Sequence, residues 1–340
     1  MQPIQPFIAP ALRCLSLACG ATVAAVIATG LWWWLPGPWT WRWPVVVAIG
    51  GAVWWAGWWQ RNGPWWWLAR SAVLALCILF FALTPRTNDT WDPSQAKTIV
   101  VERNSDTWVI HHCRAARADI SAPTTWESVT LDPATIDEMW LAICPFSPNS
   151  DLAHVFLSFG YRDSDGQRRY LAISPEIRRQ RGERYDPIAG CFRRYELMYI
   201  VAREGDLIGL RTNLLGEDLR LYPLAVTPAI AQHLFTDAIA RAEQLGTQPE
   251  WYHSLWNSCG SNLLRHGRAA LDDPRLARSP SLLLPGRFDA VAWERGLLAV
   301  PPGIENLATL RQRYAIEQRA RTVKPTRRDF SALIRTDLDR

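Results

Sequence analysis

Three stretches almost free of charge precede Pro85, and they limit this chain more than any other feature. Residues 14–41, CLSLACGATVAAVIATGLWWWLPGPWTW, carry no ionisable side chain apart from two cysteines. A second run, WPVVVAIGGAVWWAGWW, stops short of Arg61, and a third, WWWLARSAVLALCILFFAL, ends before Pro85. A helix needs about 20 apolar residues to cross the hydrocarbon core of a bilayer. The second run is the shortest and is rich in Gly and Trp. Trp clusters at 32–34, 54–59 and 65–67 fall at segment ends, where an aromatic belt meets the membrane interface. Arg70 lies near one end of the third run, from which its side chain can snorkel to the interface. Three crossings put Arg13, Arg61 and Arg70 on one side and Arg42 on the other. The positive-inside rule makes the first side cytoplasmic. The expected organisation is a three-helix transmembrane anchor over 1–86 and an extracytoplasmic domain over 87–340. A cleaved lipoprotein signal fits less well. In LSLACG, Ser16 stands where such a site takes an aliphatic residue, and the apolar run continues past Cys19.

After Pro85 the composition becomes that of a soluble domain. The net charge of +5 does not call for nucleic acid. No glycine-rich phosphate loop, zinc-spaced Cys/His set or repeat is visible, so neither cofactor nor metal is expected. Cys14, Cys19 and Cys77 lie in the apolar runs. Cys113, Cys144, Cys191 and Cys259 follow at irregular spacing that suggests no disulfide framework.

The domain reads as strands and turns followed by helices. TIVVERNSDTWVIHHC predicts a hairpin about Asn104-Ser105. HVFLSFGYRDSDGQRRYLAIS predicts a stronger one, turning at Asp163–Gly166. YELMYIVAREGDLIGLRTNLLGEDLRLYPL reads as a continuing meander with turns at 204–206 and 216–218. TPAIAQHLFTDAIARAEQLG is a helix capped by Thr227 and opened by Pro228, with Ile230, Leu234, Ala238 and Leu245 on one face. A short helix ending at Gly267 and a basic, partly helical tail from about Asn306 follow. The fold class is α+β, an antiparallel sheet with helices packed on it.

Between that long helix and the tail lies WYHSLWNSCGSNLLRH. Asn257 or Ser258 would cap a helix whose first turn holds Cys259, at the positive end of the helix dipole, which favours thiolate. A thiolate nucleophile needs a partner to handle protons. Of the histidines, His154 opens a strand, and a rigid element would hold it. If the hairpin turns symmetrically about Asp165, Glu176 faces His154, with Ser174 as the fallback. Cys259, His154 and Glu176 then form a Cys-His-acid set. His253 and His266 compete by proximity in sequence alone. The same residues also suit a helix cap, a strand-end hydrogen bond and a surface ion pair, so a non-catalytic scaffold stays open.

The blocks LAHVFLSFGY, RYLAISPEIRRQRGERY, FRRYELMYIVAREGDLIGLRTN, GEDLRLYPL and WYHSLWNSCGSN resemble, in order, those of the Lnb N-terminal periplasmic domain family. The resemblance spans about residues 90–340. It implies that the family's histidine falls on His154 and its cysteine on Cys259. The acid and arginine of the second strand fall on Glu176 and Arg178. The order of histidine strand and cysteine helix is also similar to that of circularly permuted papain-like domains of the NlpC type, some of which carry acyl chains on cysteine. The family's Asn-Asn-Cys-Thr-Thr is here Asn257-Ser258-Cys259-Gly260-Ser261. Asn257, Arg178, Ser174 and Tyr252 stand as supporting residues.

What the resemblance implies is a bacterial inner-membrane protein whose periplasmic domain performs cysteine-dependent acyl transfer. A membrane lipid would be the acyl donor, and a lipoprotein or peptide the substrate. Arg178, Arg179, Arg181 and Arg184 would meet anionic headgroups or form a solvated loop face. Amidase or peptidase action on envelope peptides is the first alternative, and the scaffold is the second.

Overall fold

The computed structural model describes residues 90–148, 150–271 and 284–338, with isolated helical positions between 25 and 51. The three expected membrane spans otherwise lie outside the described residues, and among the described residues no helix is long and apolar enough to cross a membrane. The chain divides into two compact units. One is Met1–Asn88 with Asp186–Arg194, and the other is Asp89–Tyr185 with Tyr195–Arg340. Everything below concerns the second unit.

Its sheet has nine strands among the described residues. They are β1 (Val100–Asn104), β2 (Thr107–Arg114), β3 (Trp126–Leu131), β4 (Glu138–Pro145), β5 (Ala153–Arg162), β6 (Arg168–Arg178), β7 (Glu196–Arg203), β8 (Arg220–Pro223) and β9 (Glu250–Trp251). The order is β1-β2-β7-β6-β5-β4-β8, with β3 added to β2 and β9 to β7. All pairings are antiparallel except the single parallel contact of β2 with β7. Strands β5 and β6 are central and covered on both faces, so β5 is buried along nearly its whole length instead of alternating. Phe159 meets Phe235 edge-on from one side of β5. From the other side, Ser158 donates to Glu204.

The stretch expected to continue as a meander is helical after β7. Helix α1 (Glu204–Gly209) runs into a π-helical turn at Leu210–Leu214. Its glycines mark close approach rather than turns. A Cβ on Gly205 would stand 2.1 Å from the Pro325 carbonyl oxygen, and one on Gly209 would stand 2.6 Å from Pro325 Cβ. Helix α2 (Pro228–Thr247) is capped by Thr227, whose hydroxyl accepts from the Ile230 amide. Helix α3 (Cys259–Leu271) runs past Gly267, its expected end. An interior glycine costs about 1 kcal/mol relative to alanine, which Arg268-Ala269-Ala270-Leu271 can absorb. Helices α4 (Phe288–Glu294), α5 (Leu307–Arg313), α6 (Glu317–Arg321) and α7 (Phe330–Ile334) complete the domain.

The tail is tied to the core by a buried ion pair. Arg335 donates through Nη1 and Nη2 to both oxygens of Glu204 at 2.6 Å each, and its guanidinium lies over Tyr170 and Trp140. Removing the cation would strand a carboxylate in the core. Arg335→Met is expected to cost about 3–5 kcal/mol. Thermal unfolding of the full chain in detergent checks this, with a midpoint roughly 10 °C lower expected.

Candidate active site

The β5–β6 hairpin brings the first two groups together. Leu157 pairs with Ile173 and Arg162 with Arg168, a register centred on Asp165. Continued toward the start of β5, it sets His154 opposite Glu176 and Val155 opposite Pro175. Regular pairing stops at Leu157, and Pro175 supplies a reason. It has no N–H to return to Val155 across the ladder. The pairing of β6 with β7 continues unbroken through Pro175. The Val155 amide is among the groups that favour charge on the sulfur of Cys259.

Ser258, not Asn257, caps the helix that carries this sulfur. The Ser258 hydroxyl accepts from the Ser261 amide at 3.4 Å, and Ser261 Oγ accepts from the Ser258 amide at 2.7 Å, a reciprocal capping arrangement. Asn257 shapes the approach to the helix. Its amide donates to the Trp251 carbonyl at 2.8 Å, and its side-chain oxygen accepts from Asn262 at 3.1 Å. Cys259 is therefore the first residue of α3, beside amides that the helix itself leaves unpaired. Gly260 fits its surroundings, because an added Cβ would lie 2.9 Å from Pro285 and 3.2 Å from Phe288. Threonine at this position would need that wall to move.

His154 lies between the thiol and the acid. Its Nε2 is 2.7 Å from Ser174 Oγ and 3.1 Å from Glu176 Oε1. Ser174 donates to the same carboxylate oxygen at 3.0 Å, and Arg211 Nη2 does so at 2.9 Å. With Ser174 donating to Glu176, Nε2 carries the hydrogen. Nδ1 is then the nitrogen left for another partner, and Cys259 is close enough to the ring to favour its charged form. Both sequence candidates for the partner of His154, Glu176 and Ser174, thus meet it.

Burial works against charge on all three groups, pushing the thiol up, the imidazolium down and the carboxylic acid up. The opposite charges prevail. His154 and the Val155 amide hold Cys259 below its ordinary value. Although Arg211 opposes the imidazolium, Glu176 and Cys259 lift His154 to about 9. His154 and Arg211 hold Glu176 well below the usual carboxylate range. The directions agree in favouring charge on both partners, thiolate on Cys259 and imidazolium on His154. The stability contribution of the set follows those directions. The part due to His154 is complete below 6.5 and lost as pH rises through about 9. The part due to Glu176 is present above the ordinary carboxylate value and lost in strong acid.

Arg211 carries no mark in the sequence. It comes from the π-helical turn and divides its guanidinium between Glu176 and Glu217, the latter at 3.2 Å. Arg178, matched to the site by resemblance, turns away from it. It donates to the carbonyls of Gln95 and Ala96 at 3.1 and 2.9 Å and lies over the Trp91 ring, pinning the segment before β1. Tyr252 lies 3.3 Å from Tyr185, hydroxyl to hydroxyl, and burial and the nearby Cys259 push its own ionisation up. His253 stacks on Trp256, and His266 is held between Tyr199 and Asp237. Cys144, across the ladder from His154, is pushed up to about 12 by burial and stays a neutral thiol. Among the described residues no cluster of His, Cys, Asp and Glu could hold a metal ion.

His154, Glu176, Arg211, Tyr252 and Cys259 line one cleft of about 510 Å³. A thiol at a helix start, an imidazole and a carboxylate held in sequence define the class of cysteine–histidine–acid sites. Residues 122–286 match the Lnb N-terminal periplasmic domain, and this part of the chain belongs to that family. Residues 9–109 match the family described as fusaric acid resistance protein-like. Together the two matches describe a membrane-associated envelope protein with a periplasmic domain. No curated protein and no solved structure matches the chain.

Proposed function

We propose that this domain performs cysteine-dependent acyl transfer at the outer face of a bacterial inner membrane, to which a three-helix N-terminal anchor holds it. The observation that carries the reading is that His154, 3.1 Å from Glu176, lines one cleft with Cys259, whose charge it favours. The Cys259 thiolate attacks an ester carbonyl, and the carbonyl electron pair moves onto oxygen. Collapse breaks the carbon–oxygen ester bond, and the leaving alkoxide takes the Nδ1 proton of His154. The product is a thioester on Cys259 and a free alcohol. An acceptor amine or water then attacks the thioester, His154 takes the acceptor's proton, and the thiolate leaves. Glu176, fixed by Ser174 and Arg211, keeps the ring oriented and stabilises the imidazolium. Unpaired amides at the start of α3 and the Tyr252 hydroxyl are the nearby donors for the oxyanion. The chain order, with the histidine strand before the cysteine helix, supports kinship with permuted papain-like domains.

Incubating the full chain in detergent with p-nitrophenyl butyrate is expected to add one butyryl group to Cys259. Intact-mass analysis would detect it, and hydroxylamine would release it. An unmodified Cys259, with ester hydrolysis no faster than in buffer, would eliminate the acyl-transfer reading.

A further inference from the structure

Several connections leave the sheet at one edge. β4 ends at Pro145 opposite the start of β5 at Ala153, and β6 ends at Arg178 opposite the start of β7 at Glu196. β9 runs antiparallel to β7 and pairs with Glu196 through Trp251, its last residue, so the segment after it emerges at the same edge. Phe146, just beyond β4, lines the cleft with His154 and Cys259, which therefore opens here.

The loops of this edge turn large apolar side chains to solvent. Phe146 and Leu152, at the two ends of the β4–β5 connection, are 56 % and 49 % exposed. Leu255 and Trp256, just ahead of α3, are 52 % and 67 % exposed. The β5–β6 turn at the opposite edge is wholly polar, Asp163-Ser164-Asp165-Gly166-Gln167. Tyr185 packs against both Phe146 and Tyr252, at 6.3 and 6.1 Å between ring centres, which joins these loops into one face. Large apolar groups gathered on one face mark a surface that something covers.

Leu255 and Trp256 are held outward by a braced loop. His253 and Asn257 exchange backbone hydrogen bonds of 3.2 and 3.0 Å, leaving Ser254, Leu255 and Trp256 at the tip. The Leu255 amide donates to His253 Nδ1 at 3.2 Å, and the His253 ring stacks on the Trp256 indole with 3.6 Å between centroids. The loop thus orders a tryptophan without burying it, which lowers the entropic cost of burying it in something else.

Two observations select a lipid surface as that cover. The family matches describe a membrane-associated protein, and tryptophan favours membrane interfaces, where its apolar body and polar N–H are both accommodated. The segment after β6, residues 179–185, adds exposed Arg181 and Arg184, and cations beside an apolar tip suit anionic headgroups. We propose that this edge of the domain docks on an anionic bilayer surface, with Leu255 and Trp256 entering the interface, Phe146 and Leu152 beside them, and Arg181 and Arg184 among the headgroups. The proposal concerns contact and does not depend on the acyl-transfer reading.

The test uses the full chain in nanodiscs of equal parts phosphatidylglycerol and phosphatidylcholine. Benzoylphenylalanine replaces Trp256 or, as the control at the opposite edge, Ser164. After irradiation, peptide mass analysis identifies what each position has captured. Position 256 is expected to capture phospholipid at least about tenfold more often than position 164. Its yield should fall in discs of phosphatidylcholine alone, and in Arg181→Gln/Arg184→Gln with the mixed lipids. The same probe in place of Leu152 leaves the loop before α3 intact and is also expected to capture lipid. Leu255→Ser/Trp256→Ser should lower that yield without moving the thermal midpoint, because both side chains are exposed. Equal capture of phospholipid at 256 and 164 would overturn the proposal. Capture of a second copy of the chain at 256, in place of lipid, would overturn it in favour of a self-association face. Equal yields at 256 from the two lipid compositions would overturn the choice of an anionic surface. Because the crosslink reads contact alone, each outcome keeps its meaning even if no ester acylates Cys259.

Discussion

Cys259→Ala is expected to remove thioester formation altogether and to cut ester turnover by at least about a thousandfold, because loss of a nucleophile removes the covalent route while the cleft and its donors remain. The fold should tolerate the change. The sulfur contributes little apolar area, and the helix is capped by Ser258 and Ser261, neither of which depends on it. Turnover of p-nitrophenyl butyrate and the thermal midpoint, measured on one preparation, separate chemistry from stability. A Cys259→Ala protein that still turns over the ester at the wild-type rate would place the reaction at another group.

His154→Ala is expected to lower turnover near neutral pH by about 10²–10⁴-fold, the range for losing a positioned general acid–base group. The variant also loses the cation that offsets the burial of Cys259, so the thiol pKa should move above its ordinary value instead of below it. Activity of the variant should therefore climb with pH across the alkaline range, where the wild type declines as His154 deprotonates near 9. Profiles of kcat/KM against pH for both proteins check the crossing slopes. Parallel profiles would mean that His154 has no part in proton transfer.

The juxtaposition of His154 and Glu176 was legible in sequence because a hairpin has little freedom once its turn is known. Asp163-Ser164-Asp165-Gly166 closes it, Gly166 takes a positive φ of 73°, and every cross-strand pair then sums to the same total. Cys259 was legible as a helix-start thiol because small polar residues precede an apolar run, and of the two expected caps, Asn257 and Ser258, it is Ser258 that serves. Arg211 was hidden for a physical reason. EGDLIGLRTNLL holds glycines that look like turn formers, while their actual work is to let α1 approach Pro325. The π-helical turn that follows has no sequence signal of its own, and it alone aims Arg211 at Glu176. Pro175 had a similar double meaning. Within a buried central strand it would normally argue against the strand, yet here it lies where the regular pairing of β5 with β6 has already stopped. Arg178 was matched to the site by resemblance alone, and it is Trp91 and the carbonyls of Gln95 and Ala96 that engage it.

The account depends on Cys259 being an ionised thiol at rest, and alkylation of the full chain by iodoacetamide across a pH series reads this directly. Site-resolved mass analysis should find the alkylation rate of Cys259 levelling off with a midpoint below an ordinary thiol's, which lies near about 8.5. A rate that instead rises about tenfold per pH unit up to 8.5 or beyond, as for an isolated or merely buried cysteine, would contradict it.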